Sequence, residues 1–317
     1  MSKKTAAVIG VGVIGLSTAI LALERGYNVT IYSDKPPMET TSLKAAAYFK
    51  PYAVAHNDLT QGMLKIAWEY YEQLVSLYGD ALGVRKHVHW EAMSLLKDDE
   101  DISYLDVMEE VTQVEGPHVP GGYALGRRYR TFLMDTPIFL PWLLQCFTEA
   151  GGTFVLLDKK FTNLGQLAEL ATDVVFNCTG LGARELCNDK AVTPIKGQIV
   201  IVDPEPDMDW SISTDNFYIV PRKYDTVLGG TAEWHVNDET VEPEAVDRII
   251  QGNKPILPHL NLDSVRRTYA GLRPYRTDGI RLESQEVNGK QIVHNYGHGG
   301  AGLTLCWGSA YHAFQLV

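Results

Sequence analysis

Three glycine-rich stretches carry the chemistry that can be read from this chain. Gly10, Gly12 and Gly15 stand in G-x-G-x-x-G spacing within "TAAVIGVGVIGLSTAILALERGYNVTIYSD". That spacing suits a bound pyrophosphate. Gly10 makes a tight turn, Gly12 lets phosphate approach the backbone, and Gly15 lets helix pack closely on strand. The amino end of the following helix stabilises the phosphate charge. Asp34 lies about 20 residues downstream, where an acid bonds ribose hydroxyls. Near the other end, "HNYGHGGAGLTLCWGSAYHAF" crowds glycines into residues 299–302, directly before an apolar helical run. Glycine is entropically costly inside structure, so bare backbone there requires a close approach. The third stretch, "DVVFNCTGLGAREL", is a small-residue turn between strand and helix. It reads either as an ordinary βα turn or as a second place for backbone to approach a ligand.

The elements around these stretches follow from apolar periodicity. Thr5–Ile9 is a short buried strand, residues 16–25 a helix stopped by Gly26, and residues 28–32 a second strand. A strand, a helix, a strand and an acid in place favour a dinucleotide over a Gly-rich turn in an unrelated α/β unit. The regular βαβ repeats usual in a nicotinamide-dependent dehydrogenase do not follow. Asp58–Tyr78 reads as a long amphipathic helix, with Met63, Ala67, Tyr70, Tyr71, Leu74 and Tyr78 at helical spacing and Gly79 ending it. Its aromatic stripe reads as core. Strand-like fragments such as "HVHWEAMSLL" occupy residues 80–135, and a helix spans 137–150. "TFVLL" and residues 174–176 are further strands. "PIKGQIVIVD", "FYIVPR", "TVLGGTAEW", "GIRLES" and "KQIVHNY" read as strands of an antiparallel region, with a helix over 242–251. The nucleotide-like pieces sit at the start, in the middle and at the end, which predicts a discontinuous domain with a β-rich domain threaded through it.

Bulk composition narrows the function. The 317 residues are 45% hydrophobic and 21% charged, with a net charge of −11. An acidic chain argues against nucleic acid as main partner. Cys146, Cys178, Cys187 and Cys306 show no metal-finger spacing and read as small buried hydrophobes, which fits a reducing compartment. No apolar run reaches the ~18 residues of a membrane span. The start passes directly into a strand, leaving no room for a signal peptide, and "AFQLV" is not a peroxisomal tripeptide. A cytoplasmic location is expected. The chain stops inside a helical pattern, which is compatible with a further tail.

Taken together, "VIGVGVIGLSTA", "TTSLKAAAYFKPY", "DVVFNCTG", "KGQIV", "FYIVP…TVLGGT", "AGLRPYRTDGIRLE" and "HNYGHGGAGLTLCWG" resemble, in order and over nearly the whole chain, the D-amino-acid oxidase family, which includes D-aspartate oxidase. The resemblance implies an α/β protein: a Rossmann-like FAD-binding domain (1–50, 155–198 and 265–317) with an interleaved substrate domain built on an antiparallel β-sheet (51–154 and 199–264). It implies non-covalent FAD and oxidation of a D-amino acid by hydride transfer to flavin N5. The products are a 2-oxo acid, ammonia and, with oxygen, hydrogen peroxide. Small-molecule substrate and oxygen are the expected partners, and a homodimer is compatible.

The resemblance also implies site residues. Arg273, in "GLRPYR", would clamp the substrate carboxylate; a guanidinium offers a planar two-donor fork. Tyr218 would bond the same carboxylate, and the Gly300 carbonyl would accept from the substrate amine. Gly10, Gly12, Val13, Ile14, Gly15, Asp34, Thr40, Thr41, Ser42, Phe161, Thr179 and Gly180 would hold FAD on its nucleotide side. Ala46, Ala47, Tyr48, Gly299, Gly300, Gly302, Leu303 and Thr304 would line the flavin, with the last helix aiming its amino end at the reduced ring and Thr304 adding a hydroxyl donor. On this reading residues 299–302 are bare because substrate and flavin approach them. His294 and His298 read as turn or core histidines, and no general base stands out.

Three departures bear on specificity. No tyrosine lies between Trp210 and Phe217, where the family often has a lid tyrosine. Ile212, Ser213 and Thr214 stand where D-aspartate oxidases place an arginine, which favours neutral side chains unless Arg222 or His235 reaches in. Ala301 replaces a commoner tyrosine, which predicts more open surroundings for the flavin. The alternatives are a D-aspartate oxidase, a glycine or sarcosine oxidase, a nicotinamide-dependent dehydrogenase that uses Asp34, and a flavin-binding protein without activity.

Overall fold

Strands alternate with helices at both ends of the chain and follow one another in the middle. The computed structural model describes residues 3–95 and 101–317; Leu96, the last residue of the strand-like fragment "HVHWEAMSLL", lies outside them. The strands are β1 (Thr5–Ile9), β2 (Asn28–Ser33), β3 (Val84–Met93), β4 (Glu109–Glu115), β5 (Leu125–Met134), β6 (Thr153–Leu156), β7 (Val174–Asn177), β8 (Val192–Val202), β9 (Trp210–Ser213), β10 (Tyr218–Pro221), β11 (Thr226–Gly229), β12 (Glu233–Trp234), β13 (Val265–Arg276), β14 (Arg281–Val287) and β15 (Lys290–Tyr296). The helices are α1 (Val13–Glu24), α2 (Asp58–Tyr78), α3 (Thr136–Glu149), α4 (Leu164–Ala168), α5 (Ala183–Leu186), α6 (Pro243–Asn253) and α7 (Gly302–Phe314).

Two sheets result. The first has the order β14-β15-β7-β1-β2-β6, parallel except for the antiparallel edge strand β14. Strand order reverses about β1: the chain steps out to β2 on one side and later returns to β7 on the other. In open α/β sheets a ligand sits at such a switch point, beyond the carboxyl ends of the strands. The second sheet has the order β12-β8-β11-β10-β9-β3-β5-β4, with β13 also paired to β8. It is mainly antiparallel; β3 and β9 run parallel.

Local chemistry explains the helix ends. Asn57 and Thr60 form a reciprocal capping box at the start of α2, with Thr60 N–H donating to Asn57 Oδ1 at 3.0 Å. Gly79 ends the helix at φ 55°. Helix α2 buries Met63, Leu64, Ala67, Trp68 and Tyr71, and Tyr70 stacks on Trp307 of α7 at 4.4 Å. Helices α1, α2, α3 and α7 pack in one layer, α2 on α7 and α3 on α1.

The sheet pairing departs from the expected domain limits in three places. The limit at 198/199 falls inside β8. Strand β13, expected with the nucleotide part, runs antiparallel to β8 along its whole length in the second sheet. Helices α2 and α3, expected with the substrate part, pack on α7 and α1. The causes are long-range register and an apolar face shared between layers, neither of which a local pattern encodes.

Candidate active site

A cavity of about 1630 Å³ opens where the carboxyl ends of β1, β2, β7 and β15 face the second sheet. A single small-molecule pocket measures roughly 300–1,000 Å³, so this one has room for a dinucleotide and a substrate together. Gly10, Gly12, Val13 and Ile14 line it after β1, Asp34 after β2, Thr179 and Gly180 after β7, and His298, Gly299 and Gly300 after β15. Phe161, Thr40, Thr41 and Ser42 complete that end, while Ala46, Ala47, Tyr48, Gly302, Leu303 and Thr304 border the middle. Gly15 does not line the cavity. A side chain there would overlap the Gly10 carbonyl, so its bareness serves the packing of α1 on β1.

The nucleotide end fits a pyrophosphate. Gly10 adopts φ 104°, and a Cβ there would sit 2.6 Å from the Cys178 carbonyl, so β1 and β7 close to backbone contact. No side chain of the Gly12 N-cap covers the start of α1. The Val13 N–H donates to Ser42 Oγ at 3.0 Å, tying the 40–44 loop to the helix end. A twelve-residue helix with an open N-terminus is a ready anion site. Thr40 donates to the Pro37 carbonyl at 2.8 Å, which directs that hydroxyl to its own loop.

The middle of the cavity is a wall of backbone. Met134 N–H donates to the Ala47 carbonyl at 2.9 Å and Phe49 N–H to the Phe132 carbonyl at 2.8 Å, so residues 47–49 lie along β5. Tyr48 stacks on His89 at 4.3 Å, and His89 is held by Ser211 and Ser213 at 2.7 and 3.1 Å. Burial lowers His89 to about 3, so the imidazole is neutral. Opposite stands the uncapped start of α7, whose dipole favours negative charge in front of it. Thr304 differs from expectation: its hydroxyl donates to the Lys50 carbonyl at 3.0 Å and accepts the Lys50 N–H at 3.2 Å, so it joins two loops.

At the far end Arg273, Tyr218 and Gly300 meet. Arg273, on β13, donates to the Thr231 carbonyl at 3.2 Å, and the Gln198 N–H of β8 donates to Thr231 Oγ1 at 3.0 Å, which holds that loop. A side chain on Gly197 would overlap the guanidinium, and one on Gly229 would overlap the Tyr218 ring. Bare positions on β8 and β11 thus make the recess in which both side chains lie. Burial pushes the Tyr218 phenol up to about 12, with the neighbouring Arg273 charge pulling it down, so it remains a neutral donor at pH 7. The Gly300 carbonyl accepts no hydrogen bond among the described residues, which leaves it available to an amine.

Gly299 and Gly300 border the cavity and are also bare because a chain segment packs on them. A side chain on Gly299 would overlap the Ala53 carbonyl, and one on Gly300 would lie 2.6 Å from Tyr52 Cδ1. Gly300 N–H donates to the Tyr52 carbonyl at 3.0 Å. The 51–53 segment packs there, and the glycines admit it. The histidines are structural: His294 bonds Asn177 and Gln285 at 3.1 and 3.0 Å, His298 bonds Ser309 at 2.7 Å, and burial lowers them to about 4 and about 3. Neither Arg222 nor His235 reaches the cavity. Arg222 forms a bidentate pair with Asp225 at 2.7 and 2.9 Å, and His235 bonds Thr193 at 2.9 Å.

Three neighbours of the site escaped the sequence reading. Tyr52 lies under the Arg273 guanidinium, 5.3 Å from ring centroid to Cζ. Lys50 borders the cavity, and its ammonium meets Glu91 Oε1 at 2.5 Å. Glu91 also accepts from Tyr104 at 2.7 and 2.8 Å, Tyr129 at 2.6 Å and Arg127 at 3.3 Å. Burial alone would raise the Glu91 carboxyl, but the Lys50 charge and these donors hold it at about 2. The alternating pattern of "VRKHVHWEAM" marks the strand that carries Glu91; its partners come from three other segments and have no local signal.

A Rossmann-type sheet with an open helix N-terminus, joined through one cavity to a recess that holds Arg273 and Tyr218, suits a dinucleotide-dependent enzyme. Residues 5–316 match the FAD dependent oxidoreductase family, and the chain belongs to it. It is an enzyme that uses FAD. It is 35% identical to a D-amino-acid oxidase of Streptomyces coelicolor, over 98% of this chain and 95% of that one. A human D-aspartate oxidase is 31% identical, over 100% and 95%. Among solved structures, a glycine oxidase from Bacillus cereus superposes with a TM-score of 0.78 at 22% identity, covering 99% and 95% of the two chains, which shows the shared fold. Among the described residues no helix is long and apolar enough to cross a membrane.

Proposed function

We propose that this protein oxidises D-amino acids with neutral side chains. One D-amino acid, oxygen and water give a 2-oxo acid, ammonia and hydrogen peroxide. The observation that carries this reading is the convergence of Arg273, Tyr218 and the free Gly300 carbonyl at the end of the cavity opposite the nucleotide site. Arg273 and Tyr218 bind the α-carboxylate, and Gly300 accepts from the α-amine. Two fixed points hold the α-carbon in place, the room left for the side chain then selects the enantiomer, and placement of this kind contributes much of the rate in such a site. Bound FAD supplies the two-electron acceptor. The chain's own part is to hold the substrate, and no histidine at the cavity is free to take a proton.

Neutral side chains are favoured because Arg222 and His235 are engaged elsewhere. Arg248 favours a second reading: it is exposed on α6, borders the cavity and has no partner among the described residues, so it offers an acidic side chain a cation. A peroxide assay over paired D- and L-amino acids, with glycine, sarcosine and D-aspartate included, decides. We expect peroxide from D-alanine or a similar neutral D-amino acid and none from its L-enantiomer. A strong preference for D-aspartate, lost in Arg248→Ala, would replace the neutral reading; turnover of L-enantiomers alone would end both.

A further inference from the structure

We infer that Tyr52 is a positioning residue for the Arg273 guanidinium. This rests on the reading of Arg273 as carboxylate anchor. The guanidinium has two flanking neighbours: the face of Tyr52, 5.3 Å from its Cζ, and the bare backbone of Gly197. A cation over a ring face is attracted by the ring quadrupole, which holds the fork to one plane. The Thr231 carbonyl, accepting at 3.2 Å, and the neighbouring Tyr218 hold the edge of the fork, and the Tyr52 ring covers its face.

The other aromatic side chains at this end are committed to protein. The Phe217 ring fills the space that Gly252 leaves on α6. Tyr48 stacks on His89, and the Tyr218 ring lies over Gly229 and Gly230. Tyr52 differs in being 46% exposed, with no hydrogen-bond partner for its hydroxyl among the described residues. Its backbone, however, is anchored. The Tyr52 carbonyl accepts the Gly300 N–H at 3.0 Å, and Ala53 turns the chain at φ 50° against Gly299. The ring is seated over Gly300, the residue assigned to the substrate amine. Tyr52 therefore joins the carboxylate anchor to the amine acceptor.

The test uses FAD-loaded enzyme and two readouts: calorimetric titration with benzoate, a planar carboxylate without an amine, and D-alanine kinetics. Tyr52→Leu removes the ring face. It is expected to raise the benzoate Kd and the D-alanine KM together by about 3- to 30-fold, with kcat within about twofold and FAD affinity unchanged. Tyr52→Phe keeps the face and is expected to restore both to within about twofold of wild type. Should Tyr52→Leu fail to hold FAD, Tyr52→Met makes the same comparison with a flexible side chain of similar length. The inference is overturned if the ring-deleted enzyme binds benzoate like wild type, or if Tyr52→Phe is as impaired as Tyr52→Leu. If no D-amino acid is oxidised but benzoate binding still depends on the ring, the proposed substrate falls and the role of Tyr52 stands.

Discussion

Arg273→Ala lowers kcat/KM for a D-amino acid by roughly 10²–10⁴-fold and leaves FAD bound. The size follows from the fork. Two charge-assisted hydrogen bonds contribute on the order of 1.5–3 kcal/mol each, and each 1.4 kcal/mol is a factor of ten. FAD is expected to be spared because the start of α1 and the turns after β1 and β7, proposed here to hold its phosphates, line the other end of the cavity. Arg273→Lys keeps the charge but loses the fork and is expected to fall between, at about 10–100-fold. Steady-state kinetics with flavin content measured on the same samples checks both. An Arg273→Ala enzyme with wild-type kcat/KM would remove Arg273 from the site.

Glu91→Ala is expected to destabilise the protein by about 3–5 kcal/mol, the usual cost of removing one partner from a buried ion pair. It leaves the Lys50 ammonium without its carboxylate beside the cavity and takes the acceptor from Tyr104 and Tyr129. The pH dependence has a definite sign. The folded-state pKa, about 2, lies below the ordinary 4.5, so the stabilisation is present above about pH 4.5 and is lost as pH falls through 2. Thermal unfolding of wild type and Glu91→Ala should therefore differ most at neutral pH and converge toward pH 2. A gap that stays constant over that range would show that the charge of Glu91 does not carry the effect.

Legibility in the sequence followed locality. The glycine fingerprint, the Gly79 stop of α2 and the apolar run of β1 each sit within a few residues, and their spacing is the structure. The resemblance placed Arg273, Tyr218 and Gly300, which the fold brings to one cavity. What was illegible depends on partners far along the chain. Strand β13 joins the second sheet because its register matches β8, 78 residues earlier by the pairing of Arg273 with Ile195. Glycines 299 and 300 looked like bare surface for a ligand, yet the 51–53 segment occupies their side-chain space. Glu91 gathers donors from residues 50, 104, 127 and 129, and an acid in an alternating strand gives no hint of that. Tyr52 reaches Arg273 from the other half of the chain, a contact that no pattern near either residue marks.

The most direct measurement of the central claim is anaerobic mixing of the FAD-loaded protein with D-alanine and, separately, L-alanine, followed by absorbance of the bound flavin. The proposed reaction predicts bleaching of the oxidised flavin band by the D-enantiomer alone, and the role of Arg273 predicts its loss in Arg273→Ala. Equal bleaching by both enantiomers, or none by any neutral D-amino acid, would contradict the assignment of this cavity.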